Sequence, residues 1–180
     1  MADIEDAKRA FRHALGSFAT GVTITTTMDG NGNPVGVTAS SFNSVSLDPP
    51  LVLWSLAKNS LSYEAFSSSG HFAVHILAAD QMDLSNRFAR SGEDKFSGID
   101  WQEGAHGSPV FAHHAALFEC TTRHQYDGGD HVILVGEVQS FEARDMEPLI
   151  FHAGNYAKTR KKPPAGSSGG DELAEKLFTQ

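Results

Sequence analysis

The segment that decides the fold is GVTASSFNSVSLDPPLVLW, residues 36–54. It opens as a strand, breaks into the small and hydroxyl residues Thr38–Ser41, and ends in the apolar strand Leu51–Trp54. Buried hydroxyl groups need hydrogen-bond partners, so such a run is poor core material. It suits a surface that offers donors to a flat polar ligand and lets that ligand approach the backbone. The same residues also suit an edge strand that binds nothing, and the segment alone does not choose between the two.

Composition and charge exclude several classes of protein. The 180 residues predict one domain with a hydrophobic core, and 40% hydrophobic and 20% charged residues are ordinary for a globular protein. The formal net charge of −8 argues against a nucleic-acid partner, because a phosphate-binding surface needs basic residues. No apolar run approaches the ~20 residues that span a bilayer, and the acidic N-terminus lacks the apolar region of a secretory signal. Together with a single cysteine, Cys120, these features predict a cytoplasmic protein that contacts no membrane.

The pattern along the chain predicts a mainly β protein with inserted helices. Residues 4–15 are predicted to form an amphipathic helix with one apolar face, and short helices are predicted to begin at Ser60, as the capping residue, and near Asp80. About seven strands are joined mostly as hairpins, which favours an antiparallel barrel over a doubly wound parallel sheet. The predicted strands are 22–27, 35–42, 51–56, 71–77, 114–125, 131–141 and 149–151.

Three other motifs are better explained by structure than by chemistry. Gly166–Gly170 matches the G-x-S-x-G pattern of a nucleophile elbow, but it lies in a linker-like stretch rather than between a strand and a helix. His71 and His75 share one face of a strand, yet no third ligand follows at a metal-binding spacing, so no metal site is predicted. Cys120 has apolar neighbours in a predicted strand and is interpreted as a core residue.

His131 is the histidine of greatest interest. It follows Gly129 and Asp130 at the end of a predicted hairpin, where glycine permits a sharp turn and the carboxylate can orient the imidazole ring. A histidine in this position can contact an anionic or aromatic ligand and supply a proton. A solvent-exposed histidine at a turn is also compatible with these residues alone.

Taken in order, these segments resemble the short-chain flavin reductases, which have the FMN-binding split-barrel fold and act as reductase components of two-component flavin-dependent monooxygenases. The resemblance covers residues 8–157 and implies an antiparallel split β-barrel with inserted helices over residues 1–160. Residues 161–180 are then a linker-like C-terminal tail, in which 171–178 could form a short helix. The matching segments are FATGV at 18–22, GVTASSF at 36–42, SVS at 44–46, PPLV at 49–52, Ser60, FAV at 72–74, RFA at 87–89, KF at 95–96, GDH at 129–131 and GEV at 136–138.

The resemblance also implies a set of site residues. Thr38–Ser41 would lie along the flavin ring and bond its pyrimidine edge, and Lys58 with neighbouring hydroxyls would hold the ribityl phosphate. Arg87–Phe88 would lie at the flank or phosphate end of the flavin, and Tyr156 would close the site. His131 would be the catalytic residue, positioning NADH so that its C4 hydride faces flavin N5. The implied cofactor-binding residues are Thr38, Ala39, Ser40, Ser41, Ser55, Lys58, Ser60, Ser62, Arg87, Phe88, Gly129, Asp130, His131 and Tyr156.

The function implied by the resemblance is hydride transfer from NADH or NADPH to FMN or FAD, with delivery of the reduced flavin to a partner monooxygenase that hydroxylates an aromatic substrate. Hydride transfer is the cofactors' own chemistry, so the protein supplies proximity and electrostatics. A homodimer is implied as well. Two alternatives are a reductase that retains its flavin and reduces another acceptor such as a corrinoid, and a flavin-binding module without turnover. The loose match of residues 58–62 to the phosphate loop leaves FMN versus FAD open, and no residue decides NADH versus NADPH.

Overall fold

The computed structural model describes residues 2–92 and 94–159, which form three helices and twelve strands. The predicted tail at 161–180, its short helix and the 166–170 motif lie outside these residues, so the boundary between domain and tail stays a prediction. The helices are α1 (Ala2–Gly16), α2 (Tyr63–Ser68) and α3 (Met82–Ala89). The strands are β1 (Thr20–Gly21), β2 (Thr23–Met28), β3 (Pro34–Ala39), β4 (Asn43–Leu47), β5 (Pro50–Ala57), β6 (His71–Ile76), β7 (Trp101–Glu103), β8 (Pro109–Phe111), β9 (Ala116–Gly128), β10 (His131–Ala143), β11 (Ile150–His152) and β12 (Asn155–Ala157).

Within the described chain, most strands belong to one antiparallel sheet of seven strands. Its order is β3-β2-β6-β9-β10-β5-β4, which makes β3 and β4 the two edge strands. The sheet curls until β3 approaches β5, although the described ladders do not pair these two strands. A three-stranded sheet, β1-β11-β12, and the hairpin β7-β8 complete the fold. The predicted antiparallel split barrel with inserted helices is therefore confirmed, and the split lies between β3 and β5.

Two clusters of buried apolar side chains stabilise this architecture. One centres on Trp54 of β5, whose ring meets Phe66 and Phe72 edge-on at centroid distances of 4.8 and 6.0 Å. The other joins Phe88 of α3 to Phe111 of β8 at 5.4 Å between ring centroids. Burying one such ring contributes roughly 1.5–3 kcal/mol. Phe88 therefore holds α3 against the barrel, close to the split.

The strand β4 and the start of α2 differ from the sequence prediction. No strand was predicted for Asn43–Leu47, because its hydroxyl-rich residues bury no apolar face, but it pairs with β5 as a hairpin partner. The prediction that Ser60 caps a helix is wrong, because α2 begins at Tyr63 with Ser62 in the N-cap position. The Oγ atom of Ser60 instead accepts the backbone N–H of Ser62 at 3.2 Å, which tightens the loop before the helix.

Helix α1 forms as predicted, but its apolar face is not buried by the described chain. Phe11 and Leu15 remain exposed, and so does Phe18 just beyond the helix. The last turn is tied to the body where the N–H of Ala153 donates to the carbonyl oxygen of Gly16 at 2.9 Å. None of the helices in the described part of the chain is long and apolar enough to cross a lipid bilayer.

Candidate functional site

A groove with a cavity volume of about 380 Å³ lies at the split of the barrel. We call it the β3–β5 groove, because β3 with the loop that follows it forms one wall and β5 forms another. The C-terminal end of α3, the loop after it and the start of β10 complete the lining. The lining residues are Val37, Thr38, Ala39, Ser40, Ser41, Trp54, Ser55, Leu56, Ala57, Ser60, Phe88, Ala89, Arg90, Ser91, Lys95 and His131.

The open edge of β3 gives the groove its backbone hydrogen-bonding groups. In the described sheet β3 pairs only with β2, so every second residue directs its N–H and C=O toward the split. One of these carbonyls, on Gly36, already accepts a hydrogen bond from Nζ of Lys95 at 3.1 Å. The wall therefore presents backbone donors and acceptors that a flat polar ligand can use.

Two hydroxyl groups fix the shape of this wall. Oγ1 of Thr38 donates to the backbone oxygen of Ser85 at 2.7 Å, which ties β3 to α3. Oγ of Ser41 accepts the N–H of Ser55 at 2.9 Å and donates to the carbonyl oxygen of Ser55 at 3.2 Å. The Ser41 side chain thus makes hydrogen bonds to β5 where a paired β3 strand would make them with its backbone. These hydroxyls hold the split at a fixed width, which is a role that the sequence did not reveal.

The structure brings eight of the predicted site residues together in the β3–β5 groove. Phe88 is the most buried of them, and it lies on α3, which packs against β3. His131 lies at the opposite wall, where it pairs with Ala57 at the end of β5. The eight are Thr38, Ala39, Ser40, Ser41, Ser55, Ser60, Phe88 and His131.

Lys58 does not line the groove but fixes the hairpin that carries His131. Its Nζ donates to a carboxylate oxygen of Asp127 at 2.6 Å, and its backbone N–H donates to the carbonyl oxygen of Asp130 at 2.9 Å. The hydrogen bond from Lys58 lowers the pKa of the Asp127 carboxyl. Gly129 takes a positive φ of 82° at the turn, which a glycine adopts without strain. Lys58, Asp127 and Gly129 therefore position the tip of the β9–β10 hairpin.

Three further predicted residues lie beside the groove rather than in it. Arg87 donates to the backbone oxygens of Asp94, at 3.3 Å, and of Ser97, and so ties the loop after α3 to the helix. Ser62 lines the adjoining hollow beyond Ser60. Tyr156 lines another hollow, of about 440 Å³, which shares Thr38, Ala39 and Ser40 with the groove. Its hydroxyl group bonds Oδ1 of Asn86 at 2.8 Å and Oγ of Ser85 at 2.9 Å.

The cations of the groove are residues that the sequence did not single out as site residues. Arg90 and Lys95 both line it, at the end of α3 and in the loop that follows. Besides Gly36, Nζ of Lys95 donates to the carbonyl oxygen of Phe88 at 2.9 Å, which holds the ammonium group at the edge of the groove. The only signal in the sequence was the place of Lys95 in a matching segment. A basic residue after a helix is otherwise typical of a solvated surface.

His131 has a defined ring orientation. Its Nδ1 lies 2.7 Å from a carboxylate oxygen of Asp130, and because the carboxylate accepts, Nδ1 carries the proton of this bond. That hydrogen bond is the main cause of the lowered pKa of Asp130. The His131 side chain is 44% exposed, whereas Asp130 is almost fully in solvent. The second ring nitrogen, Nε2, is therefore left for a ligand in the groove.

No cluster of three or more histidine, cysteine, aspartate or glutamate side chains that could hold a metal occurs within residues 2–92 and 94–159. His75 is instead a buried structural residue, bonded to the backbone of Ile24 and Phe111. Cys120 is fully buried, and desolvation raises the pKa of its thiol to about 12. Neither residue contributes to the β3–β5 groove.

The structure is a split barrel with a hydroxyl-lined groove at its open edge. The comparison with known proteins gives the family. Residues 15–160 match the model of the flavin reductase like domain, and the chain belongs to this family.

Relatives of known sequence and structure agree with this assignment. The chain is 50% identical over 150 residues to the FMN reductase (NADH) SmoA of Agrobacterium fabrum, covering 83% of this chain and 85% of that protein. It is 49% identical over 152 residues to a probable flavin reductase of Rhizobium meliloti, covering 84% of this chain but only 49% of the relative, so it spans about half that protein's length. The crystal structure of nitrilotriacetate monooxygenase component B from Mycobacterium thermoresistibile matches with a TM-score of 0.85 at 42% identity, over 94% of this chain and 96% of that one.

The residues of the β3–β5 groove fit a flavin. The strand-edge backbone groups of the β3 wall suit the polar edge of the ring, and the apolar side chains of Leu56 and Phe88 suit its faces. Arg90 and Lys95 supply positive charge for a phosphate. The indole N–H of Trp54, which also lines the groove, is buried and has no hydrogen-bond partner among the described residues.

Proposed function

We propose that this chain is an NADH-dependent flavin reductase that transfers a hydride from NADH to FMN or FAD. The observation that carries the proposal is the β3–β5 groove, in which an open strand edge, two cations and an oriented histidine meet at the split. The named activity of the relative from Agrobacterium fabrum, an NADH-dependent FMN reductase, supports the choice of NADH.

In this proposal the protein binds and orients the two nucleotides. The segment Thr38–Ser41 holds the polar edge of the flavin ring, and Ser60 with Arg90 and Lys95 holds its phosphate. A bound flavin supplies the hydride-accepting chemistry. His131, oriented by Asp130, positions the nicotinamide nucleotide at the opposite wall, where its Nε2 can hold or release a proton.

A partner monooxygenase that receives the reduced flavin is part of the proposal. The relative from Mycobacterium thermoresistibile is named as one component of a monooxygenase, which supports such a division of labour. The groove is open to solvent, so a reduced flavin can leave it by diffusion. The single, buried thiol supports a reducing and thus cytoplasmic location.

We also propose that two copies of the chain form a homodimer through a second surface, the apolar groove. It has a cavity volume of about 530 Å³ and flanks β4, an edge strand of the described sheet. Because each copy offers both an edge strand and an apolar groove, two copies related by a twofold axis would bury the same residues on each other. Its apolar lining residues are Phe42, Leu47, Pro50, Leu51, Val52, Phe118, Val138 and Phe141.

The test of the reductase is the aerobic loss of NADH absorbance by purified, flavin-free protein with and without added FMN or FAD. We expect strong stimulation by flavin, and we expect His131→Ala to lower kcat/KM for NADH by about 10²-fold, the range for a positioned proton-transfer or orienting group. His124→Ala is the matched control, since His124 is an exposed histidine of β9 outside the groove.

Other outcomes would change the proposal. Unaltered kinetics in His131→Ala would remove the role of this residue. A flavin that stays bound through gel filtration and passes electrons to another acceptor would favour a flavin-retaining reductase. A bound flavin that NADH does not bleach would favour a flavin-binding module.

A further inference from the structure

A second groove begins where the β3–β5 groove ends. We call it the side groove, and its cavity volume is about 250 Å³. The two grooves share Ser60, Ser91 and Lys95, which line both. A ligand that reaches these three residues from the β3–β5 groove can therefore continue into the side groove without leaving the protein surface.

The boundary between the two grooves carries a fixed positive charge. Nζ of Lys95 donates to the carbonyl oxygens of Gly36, which lines the side groove, and of Phe88, which lines the β3–β5 groove. These two bonds hold the ammonium group at the junction. The hydroxyl groups of Ser60 and Ser91 lie on the same boundary. An ammonium ion with nearby hydroxyl donors suits phosphate, and a diphosphate would cross from one groove to the other.

Beyond the boundary, the lining of the side groove is mostly apolar and includes one acidic side chain. Pro34, Phe96 and Leu61 give apolar surface, and Leu61 is 80% exposed. The carboxylate of Asp94 accepts the backbone N–H of Phe96 at 3.2 Å and of Ser97 at 3.1 Å, which fixes it in place. An acid repels a further phosphate but accepts hydrogen bonds from hydroxyl and amino groups. This end therefore suits a flat base with a ribose.

We propose that the side groove binds the adenosine half of FAD, so that FAD rather than FMN is the preferred flavin of this chain. The inference rests on the proposed function, since it needs the flavin phosphate at the boundary beside Lys95. FMN ends at that phosphate and makes no use of the side groove, whereas FAD continues through a second phosphate to adenosine. NADH carries the same adenosine diphosphate, but His131 at the opposite wall is where its nicotinamide is expected.

The test is an equilibrium titration of the flavin-free protein with FMN and with FAD by isothermal calorimetry, in the absence of NADH. We expect FAD to bind at least about tenfold more tightly than FMN. Leu61→Trp fills the side groove, so it should lower FAD affinity to that of FMN and change FMN affinity by less than about twofold. Leu15→Trp, on the exposed face of α1, is the matched control and should change neither affinity.

Equal affinities for FMN and FAD in the unmodified protein would overturn the inference, and so would a Leu61→Trp variant that weakens both flavins equally. If that variant instead raises KM for NADH with FMN as acceptor and leaves the FAD-to-FMN ratio unchanged, the adenosine belongs to NADH and the assignment to FAD is wrong. If the Leu61→Trp variant does not fold, Leu61→Ala replaces it in the titration. We expect Leu61→Ala to lower the affinity for FAD by a smaller factor and to leave the affinity for FMN unchanged. The reductase function fails on different evidence, the lack of any flavin-stimulated NADH oxidation by the unmodified protein.

Discussion

The β3–β5 groove and the apolar groove flank the same short segment of chain but differ in chemistry. Ser41 and Phe42 are neighbours, yet Ser41 lines the first and Phe42 lines the second. The β3–β5 groove has hydroxyls, strand-edge backbone groups and two cations. The apolar groove is larger, at about 530 against 380 Å³, and its exposed rim includes Leu47 and Phe141.

This difference separates a surface for a small polar ligand from a surface for another protein. Polar groups in the first groove can exchange water for ligand hydrogen bonds at little net cost. The second offers apolar area and an edge strand, which a protein surface of matching shape would cover. Phe141 is 75% exposed, although it stacks on Phe118 at a centroid distance of 6.5 Å. Neighbouring side chains of an extended chain point to opposite sides, so the adjacent residues Ser41 and Phe42 line surfaces that suit different kinds of ligand.

The largest effect is expected from a charge placed in the apolar groove. Phe141→Glu should weaken association of two copies by at least about 100-fold, since a carboxylate buried at an interface without a partner costs about 3 kcal/mol or more. Sedimentation equilibrium over a range of protein concentrations measures the change. Phe18→Glu is the control, because Phe18 is equally exposed but lies after α1. Dissociation by Phe18→Glu alone would move the interface to α1.

The next effect comes from a buried histidine, His75, that lines neither groove. His75 is fully buried, donates from Nδ1 to the carbonyl oxygen of Ile24 and accepts the N–H of Phe111 at Nε2, so both nitrogens are satisfied only in the neutral ring. Burial, the largest cause, lowers the pKa of His75 from 6.5 to about 3. Between these values the unfolded chain binds one more proton than the folded one at this residue. The free energy of unfolding should therefore fall as pH falls below 6.5, by up to about 1.4 kcal/mol per pH unit.

Urea unfolding between pH 7 and pH 4 measures this slope. His75→Gln removes the titrating group and should give a shallower slope even if the variant is less stable at neutral pH. His124→Gln changes an exposed histidine and should keep the slope of the unmodified protein. The same slope in His75→Gln as in the unmodified protein would assign the acid sensitivity to other groups.

The smallest effect compares two serines on either side of Phe42. Ser41→Ala removes the group that bonds both the N–H and the carbonyl oxygen of Ser55, so the split loses its fixed width. We expect flavin affinity to fall about tenfold, which corresponds to the 1–3 kcal/mol cost of an unsatisfied buried donor. Ser44→Ala, in the lining of the apolar groove, should leave flavin affinity unchanged. Equal losses in the two variants would show that Ser41 acts only through general stability.

Much of the fold could be predicted from local patterns. Alternating apolar residues and turn sequences identified the long hairpin β9–β10, and β-branched residues identified β2. β4 escaped prediction because it buries no face and owes its conformation to pairing with β5. The face of α1 was predicted to be apolar, and it is, but the described chain does not cover it.

The site could be predicted less completely, because side-chain direction is not a local property. Small and hydroxyl residues at 38–41 indicated a surface for a flat ligand, and a Gly-Asp-His turn indicated His131. The cations illustrate the limit of that reasoning. Lys58 and Arg87 were predicted to bind the flavin, and that role stays a prediction. In the structure Lys58 bonds Asp127, and Arg87 bonds the loop after α3.

The sequence by itself determined the order of strands and turns, the hydroxyl-rich break in β3 and the placement of an acid beside His131, because each depends on residues that are neighbours in the chain. Only the tertiary structure decided which cations line the groove and how wide the split is. Lys95 reaches the groove because it bonds Gly36, 59 positions away, and Ser41 sets the width by bonding Ser55 across the open edge. Such contacts follow from the curl of the whole sheet, which no short segment specifies.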